Sequence, residues 1–258
     1  MSDNAIISLR GVRKSFKDIT VLDDIDLDIQ PGESHIVIGL SGAGKSVLLK
    51  CILGLLRPDA GTILINGEDW FTLPIDEKLR RMACVGVLFQ GAALFDSMPV
   101  WENVAFVLRR QGMGRNEARD RAAEVLEWVG LPGIVDKMPA ELSGGMKKRV
   151  GMARAICHRP EIIFYDEPLT GLDPVMSDAI TTLMKRLHER MKVTSLTIAH
   201  SMKLVHEFSD RVSMLYQGKI YQQVSRDEIA SNRDPVFRQF IEGRADGPIR
   251  LIHDREAI

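Results

Sequence analysis

The chain has 258 residues, of which 45% are hydrophobic and 27% charged, and its formal net charge is −1. This length carries one large α/β domain with a full core, and so average a composition excludes a disordered chain or a fibrous repeat. The near-neutral charge gives no global electrostatic reason to bind nucleic acid or anionic lipid, so any membrane association has to come through a protein partner.

No apolar run approaches the roughly 18 residues that span a bilayer. The longest candidates are Ile36–Leu40 and Cys51–Leu56. The stretch from Met1 to Arg10 has no basic region followed by an apolar one, so no secretory signal is expected. Cys51, Cys84 and Cys157 are far apart and form no CxxC pair. That pattern predicts ordinary buried thiols in a reducing compartment.

In chain order, Ile25, Leu27 and Ile29 alternate with Asp24, Asp26 and Asp28, the period of a half-buried strand with a polar outer face. Pro31-Gly32 makes a turn. Ile36-Val37-Ile38 is a short continuous apolar run, as expected for a strand covered on both sides. A glycine-rich loop follows, and then a helix-like stretch, Ser46–Leu56. In Glu117–Val129 the apolar residues Ala118, Ala122, Val125, Leu126 and Val129 form one helical stripe. Ile162–Tyr165 and Ser195–Ala199 read as buried strands. Val212–Tyr216, Gln217-Gly218 and Lys219–Val224 read as a hairpin. The region Ser225–Ile258 is polar and partly helical. Strands separated by helices predict an α/β fold with a mostly parallel sheet and a helical insertion at about residues 90–155.

Three motifs carry chemistry. Gly39-Leu-Ser41-Gly42-Ala43-Gly44-Lys45-Ser46 fits G-x-x-x-x-G-K-[ST], between a predicted strand and a predicted helix. Its glycines let backbone N–H groups wrap phosphates, and the helix N-terminus adds partial positive charge. Lys45 can reach β- and γ-phosphates, and Ser46 can ligate Mg²⁺. Ile162-Ile-Phe-Tyr-Asp166-Glu167 places two acids at the end of a buried strand, where ligands bind in open α/β sheets. Asp166 is positioned to hold Mg²⁺ and Glu167 to polarise an attacking water, although alone the pair also fits a solvated strand end. Leu142-Ser143-Gly144-Gly145-Met146 alone is a helix start, with Ser143 as a cap.

In this order, the motifs resemble the ABC (ATP-binding cassette) transporter family. The resemblance extends to Gln90 (the Q-loop glutamine), to Gly171-Leu172-Asp173 (the D-loop) and to His200 (the switch histidine), and covers nearly the whole chain. It implies a P-loop nucleotide-binding domain at residues 1–245, with an antiparallel β subdomain and an α-helical subdomain, followed by a tail at 246–258. It also implies ATP and Mg²⁺ as cofactors and a homodimer of cassettes closed around two nucleotides. Ser143, Gly144, Gly145 and Asp173 of one subunit would then meet the nucleotide held by Lys45 of the other. His200 would contact the γ-phosphate, and Gln90 would join Mg²⁺ and the attacking water to the coupling surface. Phe16, after a short early strand, matches the aromatic that stacks on adenine, and an aromatic there equally fits a plain core side chain. Two positions depart from the family pattern: Met146 stands where glutamine is usual, and Ser201 where an acid is frequent. His35, His158 and His206 lack motif context and read as surface or packing residues.

Leu88–Phe106, Phe164–Pro174 and Phe240–Pro248 resemble the ATPases of Mla-type phospholipid transporters. That likeness implies a membrane permease, an MCE-domain lipid-binding protein and a STAS-domain protein as partners, and a place on the cytoplasmic face of the inner membrane. Phe95, Met98 and Trp101 either line an apolar cleft for a permease helix or only pack the helical subdomain, and the cleft is the expected reading. Two other readings stay open: an ATPase for another cargo, and a soluble ABC protein acting on nucleic acid or ribosomes. Gln90 and Leu142 are too close for the long coiled-coil insertion common in that last class. Glu167 and His200 together speak against a cassette that binds ATP without turnover.

Overall fold

The computed structural model describes residues 4–249. The first half of the chain runs β1 (Ile7–Phe16), β2 (Ile19–Ile29), β3 (Ser34–Ile38), α1 (Lys45–Ile52), β4 (Ala60–Ile65), β5 (Glu68–Asp69), α2 (Ile75–Met82) and β6 (Val85–Leu88). Four helices follow: α3 (Val100–Val104), α4 (Phe106–Arg110), α5 (Arg115–Trp128) and α6 (Gly144–Ile156). The chain then re-enters the sheet through β7 (Ile162–Asp166), α7 (Pro174–Met191), β8 (Thr194–Ile198), α8 (Met202–Phe208), β9 (Arg211–Tyr216) and β10 (Lys219–Ser225), and ends in α9 (Pro235–Glu242).

Two sheets result. One is antiparallel, in the order β2-β1-β4-β5. The other is ordered β10-β9-β3-β8-β7-β6, with every pair parallel except the β9–β10 hairpin. A mostly parallel sheet, a separate antiparallel sheet and a helical insertion are the parts expected from the sequence. Ile25, Leu27 and Ile29 on β2 point inward, and the aspartates between them do not. Strands β3 and β8 are buried along their whole length, as continuous apolar or hydroxyl-bearing runs must be when both faces are covered.

Apolar residues collect in two places. Helix α1 is packed between the two sheets, with Leu48, Leu49 and Ile52 against Leu22, Val37 and Phe164. On the other side of the parallel sheet, helices α3, α5, α6, α7 and α8 bury a second cluster that includes Trp101, Leu126 and Met152. The five stripe residues Ala118, Ala122, Val125, Leu126 and Val129 are all 0–1% exposed.

The structure corrects several expectations. The helix after the glycine loop stops at Ile52, because Gly54 takes a left-handed φ of 66° and turns the chain out, leaving Leu55 exposed. Phe16 ends a ten-residue strand rather than following a short one, and it is 46% exposed. Cys84 is exposed, unlike Cys51 and Cys157, because it sits in the turn between α2 and β6. Burial pushes the Cys51 and Cys157 thiols up to about 11 and about 12, so neither is a reactive thiolate at neutral pH. His35 is fully buried between Glu33 and Ser213, a packing role, and His206 is exposed. The helical expectation for the region from Ser225 onward is met by α9. Residues 246–249 remain attached to it, since the buried Gln239 side chain bonds the backbone of Ala245 and both sides of Ile249. Residues 250–258 of the expected tail lie outside the described residues.

Candidate active site

The phosphate loop connects β3 to α1. Gly39, Gly42 and Gly44 all have positive φ, and a Cβ on Gly39 would lie 2.3 Å from the Leu215 carbonyl oxygen. Only glycine fits there, because L side chains rarely adopt that backbone and the space is filled. Ser41, Gly42 and Ser46 are exposed at the loop's mouth, and a Cβ on Gly42 would meet nothing within 4 Å. The open cradle and the uncapped N-terminus of α1, which has no side-chain cap, suit an anion. Lys45 is 5% exposed and donates from Nζ to the carbonyls of Gly39 and Leu40, both at 2.8 Å. Burial lowers its pKa, and the charges of Glu167 and Asp166 oppose that shift.

Those two acids stand at the carboxyl end of β7, next to β8 and one strand from β3. Asp166 has its carboxyl raised by burial first and by the Glu167 charge second, while Lys50, Lys148 and Lys45 pull it back. A carboxylate short of compensating charge, with a serine hydroxyl and a glutamine as the other expected ligands, is a hard oxygen donor set. It fits Mg²⁺ held by few protein groups together with substrate phosphates. Among the described residues, no cluster of three or more His, Cys, Asp or Glu could hold a metal unaided.

Glu167 has a left-handed φ of 45°, costly for a residue with a Cβ. Its backbone is held by N–H donation to the Ile198 carbonyl at 3.0 Å, and its carboxylate by two partners. Oε1 lies 2.8 Å from His200 Nε2, and Oε2 accepts from the Thr170 hydroxyl at 2.8 Å. A cavity of about 290 Å³ opens beside this pair, lined by Thr170, Ser177, Ser201 and Leu204 among others.

One chain therefore brings together Lys45, Asp166, Glu167 and His200. Ser143 and Asp173 are used differently. Ser143 Oγ accepts from Met146 N and caps α6, and Asp173 Oδ1 accepts from Val175 N and Met176 N and caps α7. Among the described residues, no hydrogen bond joins either one to the phosphate loop. Ser143 and Gly144 are exposed, and Gly145 is covered by Met176, whose Cε would lie 2.2 Å from an added Cβ. Gln90 is exposed, and its backbone carbonyl accepts from the Lys148 ammonium.

Sequence reasoning missed three side chains around the Q-loop. Lys148 and Arg154 of α6 bond its carbonyls. The fully buried Asn103 bonds Phe95 N, Phe95 O and Met98 O, shaping the loop ahead of α3. For Asn103 the available signal was a polar residue beside Val104 in a largely apolar stretch, and for Lys148 and Arg154 there was none. The expected cleft is partly corrected. Trp101 is 4% exposed and belongs to the core, whereas Phe95 is 41% exposed. Met98 and Phe106 line a cavity of about 300 Å³ together with the Trp101 edge, Arg109, Arg110 and Arg115.

Comparison with known proteins agrees with this site. The family model described as ABC transporter matches residues 22–170. A probable ribonucleotide transport ATP-binding protein, mkl, from Mycobacterium leprae is 39% identical over 97% of this chain and 72% of its own length. The intermembrane phospholipid transport system ATP-binding protein MlaF from Haemophilus influenzae is 35% identical over 95% of this chain and 94% of its own. Relatives named for different cargoes are thus about equally similar, so the likeness to Mla-type ATPases is not specific. A dimeric ATP-binding cassette solved in a post-hydrolysis state with ADP and phosphate superimposes with a TM-score of 0.78 at 30% identity, covering 85% of this chain and 98% of that one. The fold, the phosphate loop, the paired acids and these matches agree: the chain belongs to the ABC transporter family, as an ATP-binding subunit.

Proposed function

We propose that this chain hydrolyses ATP, as one of two identical cassettes, to power a membrane permease that moves phospholipid. The observation that carries the enzymatic part is the Glu167 carboxylate, fixed by His200 and Thr170 one residue beyond Asp166 and within the field of Lys45. Lys45, Gly39, Ser41, Gly42, Ala43, Gly44 and Ser46 would hold the phosphates. Asp166, Ser46 and Gln90 would hold Mg²⁺, which neutralises charge on the transferring phosphoryl group. Glu167 would accept the proton of the attacking water, and His200 would move from Glu167 to the γ-phosphate. Phe16, exposed at the end of β1, would stack on adenine. Ser143, Gly144, Gly145 and Asp173 would serve the partner's nucleotide. That reading is supported by the exposure of Ser143, Gly144 and Asp173 and by the solved dimeric cassette.

The permease would dock at Phe95, Met98 and Phe106, with Arg109, Arg110 and Arg115 around the rim. No helix among the described residues is long and apolar enough to cross a membrane, so a peripheral place on the cytoplasmic face of the inner membrane would come through that contact. MCE-domain and STAS-domain proteins would complete the assembly. The lipid cargo is supported by the MlaF relative and by the Leu88–Phe106 likeness, and the mkl relative favours a second reading with another cargo.

The enzymatic reading is tested by Mg²⁺-dependent phosphate release from the purified chain, greatly slowed in Glu167→Gln. The cargo reading is tested in a deletion strain. Disturbed outer-membrane lipid distribution supports phospholipid, whereas normal lipids with defective uptake of a polar solute would overturn it.

A further inference from the structure

The Q-loop is unusual in its backbone. Two consecutive alanines, Ala92 and Ala93, take left-handed φ values of 61° and 46°. Such a residue carries backbone strain and persists only where its surroundings dictate it. The surroundings here are one face of α6. Lys148, Gly151 and Arg154 are spaced three apart, so they share a face. Arg154 donates to the Ala92 carbonyl at 2.6 Å and to the Ala93 carbonyl at 2.7 Å, and its guanidinium lies over the Phe95 ring. At Gly151 an added Cβ would lie 2.8 Å from Leu88 and 3.2 Å from Ala92 Cβ, so loop and helix touch without a gap.

Lys148 completes the face and reaches further. It is 5% exposed. Its ammonium donates to the Gln90 carbonyl and, at 3.4 Å, to the Glu167 carbonyl. Glu167 is itself left-handed, and its carbonyl also accepts from Thr170 N at 3.2 Å. An ammonium has three donors and no acceptor, so it can hold two carbonyl oxygens at once. Burying it is unfavourable, as the downward shift of its pKa records, and the charges of Asp166 and Glu167 only partly offset that. A lysine that served packing alone would be better replaced by an apolar side chain.

We propose that Lys148 is a positioning residue for hydrolysis: it fixes the distance between Gln90 and Glu167 and ties both to the helix that carries Ser143. The proposal rests on the reading of Glu167 and Gln90 as the groups that place the attacking water. The Lys148 ammonium bonds the backbone carbonyls of those two residues and acts through them. Arg154 holds the far side of the same loop, so a displacement at Phe95 reaches Gln90 through a segment held along its length rather than a slack one.

The test compares Lys148→Met, which keeps the length and removes the donors, with Lys148→Arg, which keeps donors and charge. Turnover is measured on the full chain at saturating Mg²⁺-ATP, alongside affinity for a fluorescent ATP analogue and the melting temperature. Lys148→Met should lose about 10- to 100-fold in kcat, since small misplacements near reacting groups cost on that order. Its nucleotide affinity, KM and melting temperature should stay near wild type, and Lys148→Arg should recover a large part of the rate. Full turnover in Lys148→Met overturns the proposal. So does a loss that follows a matching fall in melting temperature or nucleotide affinity. Wild-type chain and Glu167→Gln are run in parallel: if these two do not differ, the reading of the site fails and the proposal with it; if they differ and Lys148→Met matches wild type, only the proposal fails.

Discussion

The end of the parallel sheet and the helical insertion beside it follow opposite designs. At the sheet end, Lys45, Asp166, Glu167 and His200 stand at or just beyond the carboxyl ends of short, buried strands, and charge is dense and only partly compensated. In the insertion, a loop bearing Phe95 and Met98 meets Phe106 of the short helix α4 beside Arg109, Arg110 and Arg115, and order comes from the buried polar side chains of Asn103 and Lys148 that bond loop backbone. The first region answers to phosphate and Mg²⁺, whose chemistry hardly varies with cargo. The second, on the function proposed above, would answer to a protein partner. Changes in the first should therefore abolish turnover while leaving the assembly intact, and changes at the exposed Phe95–Phe106 surface of the second should do the reverse, whereas Ser143 and Lys148, at the sheet-facing end of the insertion, belong with the first.

The largest expected effect is at Glu167. Glu167→Gln should retain ATP and lose roughly 10²–10⁴-fold in kcat, the usual worth of a positioned base. Wild-type release of phosphate by this variant would show that another group places the water. Next comes Trp101→Ala, which removes a buried indole from the insertion. A loss of about 3–5 kcal/mol is expected for such a truncation, read as a lower denaturation midpoint in urea. An unchanged midpoint would return Trp101 to the docking surface. Phe95→Asp should leave ATP binding and the melting temperature near wild type, because the ring is already partly in water. It should release the chain from the membrane fraction, since a charge facing an apolar partner is desolvated without compensation. Retention on membranes would move the docking surface elsewhere.

A smaller effect separates stability from function within the sheet end. The raised carboxyl of Asp166 means that its charged form costs the fold something, a cost absent at low pH that appears as pH rises through the raised value. Asp166→Asn removes it. Without Mg²⁺ the variant should melt slightly above wild type at neutral pH, and the gap should shrink as pH falls. With Mg²⁺-ATP only the wild type should gain further. A variant that melts lower at neutral pH, or gains equally from Mg²⁺-ATP, would contradict this account of Asp166.

The same contrast governs what could be read from sequence. Gly39–Ser46 and Asp166-Glu167 were legible because wrapping phosphates and holding Mg²⁺ admit few residue types at fixed spacing. The strands around them were legible because burial on both faces forces continuous apolar runs. Lys148 and Arg154 were not: a lysine or arginine on a helix ordinarily points to water, and only tertiary packing reveals carbonyls waiting above it. Whether Trp101 lines a cleft or packs the subdomain was not separable from sequence for a related reason, since its exposure depends on how α3 sits against α5 and α6, and in the structure it is buried while still bordering the cavity. The early stop of α1 at Ile52 was signalled by Gly54, but the leucines around it continue the apolar pattern. Cys84 was misjudged because cysteine is usually buried, and the turn that exposes it has no glycine or proline.

The central claim is that each hydrolysis site is built from two chains, with Lys45 from one and Ser143 from the other. Mixing two inactive variants tests it directly. Lys45→Ala removes the phosphate cation, and Ser143→Arg places bulk and charge where the partner's γ-phosphate would sit. In a mixed pair, one site carries both defects and the other carries neither. Phosphate release is measured for each variant alone, for the mixture and for wild type at equal total concentration. The account predicts negligible release from either variant alone and recovery of a clear fraction of the wild-type rate on mixing. No recovery beside an active wild type, or full activity of Ser143→Arg alone, would contradict it.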